Sequence, residues 1–194
     1  MLKWSNIKFR LSRRFYPLAI KWWVAWSGLY RRLYNKKHEK ISLEHGLGPR
    51  SLQYRFSKLQ WKPDGPRQLW DACSSPQYVQ SIVNRVELGY RQLEGPLDCD
   101  EYAVWAANVI GAEYRPRVLS VMWQDLSGNI HGHSVCLCTD NYNPHRYCHI
   151  GNWGFYNYKF GYQQHIRDMI RSGNLIGWAL FSKDLKILKI GDEI

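Results

Sequence analysis

The spacing of apolar residues changes between Gly111 and Arg117, and that change limits the folds that this chain can adopt. Before Gly111, apolar side chains recur every three or four residues, as they do on helices. After Arg117 they form short runs rich in Val, Leu and Trp that are separated by turn residues, as strands are. Helices followed by closely spaced strands predict an α+β class, with helices packed on an antiparallel β-sheet.

The same patterns predict individual elements. The predicted helices cover residues 66–73, 76–88, 98–110 and 163–171, with a further helix that Pro17 opens. The predicted strands cover residues 117–124, 130–139, 146–152, 175–181 and 185–190. Ser75 is the predicted cap of the helix over 76–88, and Gly111 is the predicted stop of the helix over 98–110.

Charge divides the chain unevenly. The net charge is +11 over 194 residues, and residues 1–50 hold twelve Lys/Arg against two acidic residues. The remainder holds fifteen against fourteen. A chain of this length suits one domain. We therefore expect a basic aromatic N-terminal extension over 1–45, a linker over 46–65 that is marked by Gly and Pro, and one catalytic-sized domain over 66–194.

Tryptophan and leucine gather on one side of the predicted N-terminal helix, flanked by basic residues. The residues of that face are Leu18, Trp22, Trp26, Leu29 and Leu33, and those at its edges are Lys21 and Arg32. Two interpretations remain open: a helix packed on the domain with a solvated basic face, or docking of residues 1–45 on an anionic membrane surface, a nucleic acid or a larger assembly. The oligomeric state cannot be read from the sequence.

Localisation is predicted from the cysteines and from the apolar runs. Five cysteines form an odd count without a regular framework, which favours a reducing compartment. The longest uncharged run near the N-terminus, Trp22 to Tyr30, is short of the roughly 20 apolar residues that span a bilayer. The expectation is a cytoplasmic protein that is peripherally associated with a membrane if the N-terminal helix docks there.

One cysteine stands at a predicted helix start. Asp98 and Glu101 have the spacing of a capping box, which places Cys99 in the first turn. The exposed amides of a helix N-terminus favour a thiolate, which is the nucleophilic form of cysteine. Asp100 and Glu101 oppose that effect, so activation of Cys99 requires a nearby imidazole.

Two later strands supply an imidazole and an amide. His133 alternates with Val135 and Leu137 on one face of its strand, and Asn152 ends another strand. If the two strands are neighbours and the helix of Cys99 packs on their inner face, the three side chains meet. Cysteine, histidine and a polar orienting residue in this order is the arrangement of papain-like catalysis.

The run Asp98-Cys99-Asp100-Glu101-Tyr102-Ala103, followed by Gly132-His133-Ser134-Val135, resembles the bacterial transglutaminase-like cysteine proteinase family. That family has a Cys-acid-acid helix start, a Gly-His-Ala-Val strand and a closing strand that ends in Asp-Asn. The resemblance extends over about residues 66–155 and includes the segment from Trp70 to Gln77. The closing Asp of the family falls on Gly151 or its neighbour here, which leaves Asn152 as the orienting residue, as papain uses Asn.

The resemblance implies a papain/transglutaminase-like fold and a catalytic triad of Cys99, His133 and Asn152. It implies acyl transfer through a thioester, with hydrolysis of a peptide or amide as the default and transamidation as the other outcome. Papain-like sites add a side-chain donor upstream of the nucleophile, and Gln92 is the candidate for that oxyanion donor. The implied enzyme is a thiol protease or amidase without a metal or cofactor.

Three alternatives stay open. His131, His133, Cys136, Cys138, His145, Cys148 and His149 crowd into nineteen residues, as zinc ligands do. One metal cannot collect them all, because Cys136 and Cys138 face away from His133 on one strand. His149 is the alternative third member of the triad, as in cell-wall endopeptidases with a Cys-His-His site. The third alternative is a catalytically silent scaffold that docks through the basic N-terminal segment.

Overall fold

A computed structural model describes residues 4–61, 72–92, 97–139, 143–151 and 154–194. Its helices are α1 Trp4–Tyr34, α2 Pro49–Lys58, α3 Pro76–Glu87, α4 Cys99–Val109 and α5 Tyr162–Ile170. Its strands are β1 Arg117–Gln124, β2 Ile130–Thr139, β3 Arg146–Gly151, β4 Gly154–Phe160, β5 Asn174–Phe181 and β6 Ile187–Gly191. The predicted helix over 66–73 lies almost wholly outside the described residues.

The six described strands form one sheet in the order β4-β3-β2-β1-β5-β6, and each pairs with its neighbours in antiparallel fashion. The predicted α+β class with an antiparallel sheet is confirmed. Between β2 and β3 the register pairs Cys136 with Ile150 and Leu137 with His149. Strand β4, which the sequence did not predict, lies at one edge of the sheet.

Each face of the sheet packs against different helices. The α4 face carries Val118, Cys136, Cys138, Cys148 and Ile150, which share one buried cluster with Tyr102, Ala103 and Ala106 of α4. The α5 face carries Leu119, Val121, Val135 and Leu137, which share a second cluster with Ile166 and Met169 of α5. Because side chains alternate along a strand, β1, β2 and β5 each contribute to both clusters.

Helix α3 begins as predicted. The Ser75 hydroxyl accepts a hydrogen bond from the Tyr78 amide at 3.2 Å, which caps α3. The indole of Trp105 on α4 donates to Oε1 of Gln80 on α3 at 3.0 Å. This hydrogen bond fixes the two helices beside each other in the interior, where both side chains are buried.

Helix α1 begins at Trp4, so Pro17 lies inside it and does not open it. Its inner face joins the core through Tyr16 and Ile20. Tyr16 lies against Gly177 of β5, where a Cβ would come within 2.4 Å of the tyrosine ring. The N-terminal segment therefore packs on the same core as the rest of the chain. Among the described residues, no helix has both the length and the apolar character that a membrane span requires.

The end of α1 binds the chain just before α3. The Arg31 guanidinium donates to the Cys73 carbonyl oxygen at 3.0 Å and contacts the Cys73 Sγ at 3.1 Å. The Cys73 amide donates to the Ser27 hydroxyl at 3.0 Å. Next along the chain, the Ser74 amide donates to a Glu101 carboxylate oxygen at 2.9 Å. A short series of hydrogen bonds thus joins α1 to the first turn of α4.

Within the predicted linker over 46–65, the expectation of extended structure is wrong for Pro49–Lys58, which form helix α2. Gly48 is the residue before the helix and Pro49 its first residue, so the Gly-Pro pair that suggests a loop marks a helix start. Leu52 is fully buried, and Phe56 meets the ring of Tyr102 edge to face. Helix α2 is part of the core.

Candidate active site

Cys99 is the first residue of α4, and the predicted capping box is present. The Asp98 carboxylate accepts the Asp100 amide at 3.0 Å, and the Glu101 carboxylate accepts the Asp98 amide at 3.2 Å. Cys99 therefore lies where the amide dipoles of the helix converge, a position that stabilises a thiolate.

Cys99 is also the accessible cysteine. None of the five cysteines forms a disulfide; Cys99 is partly exposed and the other four are buried. Burial raises the pKa of the Cys73 thiol to about 12. The contact with Cys136 raises the pKa of Cys138 well above its ordinary value. A reagent in solution therefore meets Cys99 before any other thiol.

His133 is a buried imidazole on β2 that interacts electrostatically with Asp98 at the start of α4. Its side chain is 4% exposed, and burial lowers its pKa to about 4. The negative charge of Asp98 acts in the opposite direction and raises that pKa. Because Asp98 precedes Cys99, this interaction links the helix start to the imidazole. At neutral pH His133 is uncharged, which is the form that can accept a proton.

The faces of the sheet differ from the expected arrangement. His133 alternates with Val135 and Leu137, as predicted, but those residues lie on the α5 face. Helix α4 packs on the opposite face, so the expectation that it covers the face of His133 is wrong. The described β2–β3 ladder ends at the pair Cys136 and Ile150, three residues beyond His133. The interaction of the Asp98 charge with His133 therefore does not run across the face that α4 covers.

Asn152, the predicted third member, lies outside the described residues. Its neighbour Gly151 is described, and a Cβ built there would lie 3.5 Å from Nε2 of His133 and 3.1 Å from Cγ1 of Val135. Position 151 is thus the described position of β3 that points at His133. In this chain it carries no side chain, so no carboxylate reaches the imidazole from it.

His149, the alternative third member, is 3% exposed and lies on the same face of the sheet as His133. Both faces of β3 are buried, so burial does not distinguish Asn152 from His149 as the third member. Burial is the largest effect on the pKa of His149 and lowers it to about 3, and the charge of His165 adds to this effect. The charge of His133 acts in the same direction.

The tautomer of His149 follows from its partner on α5. Nε2–H of His165 donates to the Tyr147 carbonyl oxygen at 2.7 Å, so Nδ1 of a neutral His165 is an acceptor. Nδ1 of His149 lies 2.8 Å from that atom and is therefore the donor. Nε2 of a neutral His149 is then left as the acceptor nitrogen, which is the role an orienting residue plays toward a catalytic imidazole.

Gln92 is buried beside the end of α2. Its Oε1 accepts the Gln60 amide at 2.8 Å, and its Nε2 donates to the Gln60 carbonyl at 3.0 Å. This amide therefore ties two chain segments together. Its second N–H is the group that remains for an oxyanion, so the role of Gln92 stays a prediction.

The sequence did not predict the buried environment of Asp100, the residue that follows Cys99. Asp100 is 4% exposed, and among the described residues its Oδ2 has no hydrogen-bond partner. Burial raises its pKa well above the ordinary range, and the charges of Glu101, Cys73 and Asp98 add to that effect. These effects favour the protonated, uncharged form of Asp100 over its carboxylate. The acidic residues that follow Cys99 were the signal for it.

Groups of three residues that could hold a metal occur at this end of α4. Within the described part of the chain they are Cys73 with Asp100 and Glu101, and Asp98 with Cys99 and Asp100. Neither group contains a member of the crowded His/Cys stretch. In that stretch, Cys136 and Cys138 lie with Sγ atoms 3.6 Å apart in the cluster of the α4 face, away from His133 as predicted.

Comparison with known proteins identifies no family for this chain, so any functional assignment depends on the side chains described above. A scan against models of protein families finds no match, and a search of curated proteins finds no similar sequence.

Proposed function

We propose that this chain is an acyl-transfer enzyme with a cysteine nucleophile, a thiol peptidase or amidase of the transglutaminase-like kind. Cys99 is the nucleophile and His133 is its base. The observation that carries the proposal is the position of Cys99 at the capped N-terminus of α4, next to Asp98, whose charge acts on His133. The exposure of Cys99 among buried thiols supports it.

The first half of the reaction forms a thioester. Neutral His133 takes the proton of the Cys99 thiol, and the sulfur attacks the carbonyl carbon of a peptide or amide. The carbonyl oxygen becomes an oxyanion beside the first turn of α4. The backbone N–H of Cys99, which precedes the amides bound by the Asp98 cap, is the donor assigned to that oxyanion. The C–N bond then breaks, and His133 returns its proton to the leaving amine.

The second half releases the acyl group. Water that gives a proton to His133 attacks the thioester, which yields a carboxylic acid and regenerates the thiol. An amine in place of water yields a new amide. The uncharged state of His133 favours a general-base mechanism over a resting ion pair of thiolate and imidazolium, since burial holds its pKa at about 4.

The test is the rate at which iodoacetamide alkylates each cysteine of the full chain between about pH 4 and 9, followed by peptide mapping. We expect fast labelling of Cys99 alone, with an onset far below pH ~8.5, where ordinary thiols ionise. His133→Ala should move that onset to the ordinary thiol range. His131→Ala is the matched control, because His131 is on the same strand but is exposed and bound to Asp125.

A labelling profile of Cys99 that is the same in the two variants and follows an ordinary thiol would contradict the proposal. The second candidate function would then be favoured, a catalytically silent scaffold that acts through its basic N-terminal helix. The observation behind that candidate is the exposed surface of α1, which does not involve Cys99.

A further inference from the structure

Helix α1 presents an exposed apolar face along most of its length. Residues separated by three, four or seven positions lie on one side of a helix. Six such residues, each between 46% and 65% exposed, form what we call the apolar stripe: Leu11, Phe15, Leu18, Trp22, Leu29 and Leu33. The inner side of α1 packs on the core through Tyr16 and Ile20, so the stripe points away from the body of the protein.

Basic residues follow one edge of the apolar stripe. The exposed side chains of this edge form what we call the basic row: Arg10, Arg14, Lys21 and Arg32. Exposed Lys8 lies at the other edge. Two further arginines belong to the inner side, where Arg13 pairs with Asp192 and Arg31 binds Cys73. The first acidic residue of the chain is Glu39, so α1 contains no negative charge.

We propose that the apolar stripe and the basic row bind the surface of an anionic lipid bilayer, with α1 parallel to the membrane plane. A helix in this orientation buries an apolar face at the boundary of the acyl chains and places basic side chains among anionic headgroups. Trp22 is suited to the headgroup region of a bilayer, because tryptophan is enriched there. Its ring stacks on that of Trp26, with the ring centroids 6.0 Å apart. At 31 residues α1 is about 46 Å long, which provides an extended contact.

The combination of charge and apolar surface favours lipid over other partners. A nucleic acid would neutralise the basic row but would leave the leucines and Phe15 of the stripe in water. A second copy of the chain would cover the stripe but would bring two rows of like charge together. A bilayer with anionic headgroups satisfies both features at once. Binding of this kind is independent of the proposed chemistry at Cys99.

The experiment is sedimentation of the full chain with lipid vesicles. One vesicle preparation contains phosphatidylcholine alone, and the other contains phosphatidylcholine mixed with phosphatidylglycerol. We expect binding to the anionic vesicles to be at least about tenfold tighter, and to weaken as salt is added.

Paired variants separate the two parts of the surface. Leu18→Asn with Leu29→Asn removes apolar contact, and we expect it to reduce binding about tenfold or more. Its control is Leu126→Asn, since Leu126 is 79% exposed in the β1–β2 turn. Lys21→Gln with Arg32→Gln should reduce binding to anionic vesicles and weaken its salt dependence. Its control is Lys183→Gln with Lys186→Gln, two exposed lysines between β5 and β6.

Three results would overturn the proposal. The first is no binding to anionic vesicles, or equal binding to both preparations. The second is binding that the asparagine variants leave unchanged while duplex DNA competes for it, which would indicate a nucleic-acid surface. The third is concentration-dependent dimerisation that the asparagine variants abolish without vesicle binding, which would indicate a second copy. Circular dichroism of each variant verifies that α1 and the sheet are intact.

Discussion

Gly151 lies against the imidazole of His133, with the position of a Cβ on Gly151 only 3.5 Å from Nε2 of His133. A residue with a carboxylate at this position would reach the ring, and glycine supplies no such group. The charge that acts on His133 comes instead from Asp98 at the start of α4. The charge of Asp98, at the start of the helix that carries the proposed nucleophile, therefore acts on the proposed base from outside the sheet.

Gly151→Asp is expected to raise the pKa of His133 from about 4 by about one pH unit or more, because a carboxylate stabilises the imidazolium. NMR titration of the His133 ring in a Cys99→Ala background measures that pKa. The rate of Cys99 alkylation at neutral pH should rise with it, because a stabilised imidazolium increases the thiolate fraction.

Gly151→Asn is the control, since it adds nearly the same volume without charge. Its Cβ meets Val135 at the same 3.1 Å, so any steric effect is shared. Equal His133 pKa values in the two variants would show that a side chain at position 151 does not interact with the imidazole of His133.

The buried histidines should make the protein less stable in acid. Burial lowers the pKa of His133 to about 4 and that of His149 to about 3, whereas an unfolded histidine titrates near 6.5. Below about pH 6.5 the unfolded state therefore binds protons that the folded state does not. The free energy of unfolding should fall by up to roughly 1.4 kcal/mol per pH unit for each histidine as the pH drops toward 4.

Urea unfolding between about pH 4.5 and 7 measures this slope. His149→Gln, which keeps a donor for His165, should flatten the slope by about one proton. His145→Gln replaces an exposed histidine and should leave the slope as in the parent chain. An unchanged slope in His149→Gln would mean that His149 is already protonated in the folded protein.

Asp100→Asn is expected to stabilise the protein at alkaline pH. Burial raises the pKa of Asp100 well above its unfolded value, so the folded protein loses stability as the pH rises above that unfolded value. Asparagine is uncharged and keeps a donor toward Asp98. We expect a gain of about 1 kcal/mol or more in the free energy of unfolding at pH ~8, and a smaller difference at pH ~5.

Chemical denaturation at both pH values provides the comparison, with the exposed Asp184→Asn as the matched control. A variant that is less stable than the parent chain at both pH values would show that Asp100 is ionised and that its charge is required.

Leu52→Ala tests whether α2 belongs to the core. Leu52 is fully buried, so its truncation should lower the free energy of unfolding by about 2–5 kcal/mol. Ser51→Ala on the exposed side of the same helix should change it by less than about 0.5 kcal/mol. Equal effects of the two variants in urea unfolding would mean that α2 does not contribute to the core and that residues 46–65 act as a linker.

Local signals in the sequence predicted local structure well. The strand over 117–124 has the observed bounds, and the Asp98–Glu101 spacing gave the capping box that is present. Such features depend on residues a few positions apart. At Pro17 and at Gly48-Pro49 the local signals were ambiguous, because proline occurs both at helix starts and in loops, and the helices there are stabilised by packing on distant parts of the chain.

In the candidate site, too, features that depend on neighbouring residues were predicted and features that depend on packing of distant segments were not. Placing Cys99 in the first turn of a helix required only its neighbours in sequence. Assigning His133 to the α5 face required knowing which helix covers which side of the sheet, and alternation alone does not contain that information. The contact of Gly151 with His133 depends on strand register, so it could not be read from either segment separately.

The hydrogen bonds of Ser27 and Arg31 to Cys73 have a practical consequence for anyone who shortens this chain. Removing the basic N-terminal helix would strip the Cys73 amide and carbonyl of their partners and would uncover a thiol that is inert in the intact protein. The cavity left by Tyr16 would open beside Gly177 at the same time. A truncated protein would thus gain a second reactive sulfur near the first turn of α4, and its alkylation pattern would no longer report on Cys99 alone.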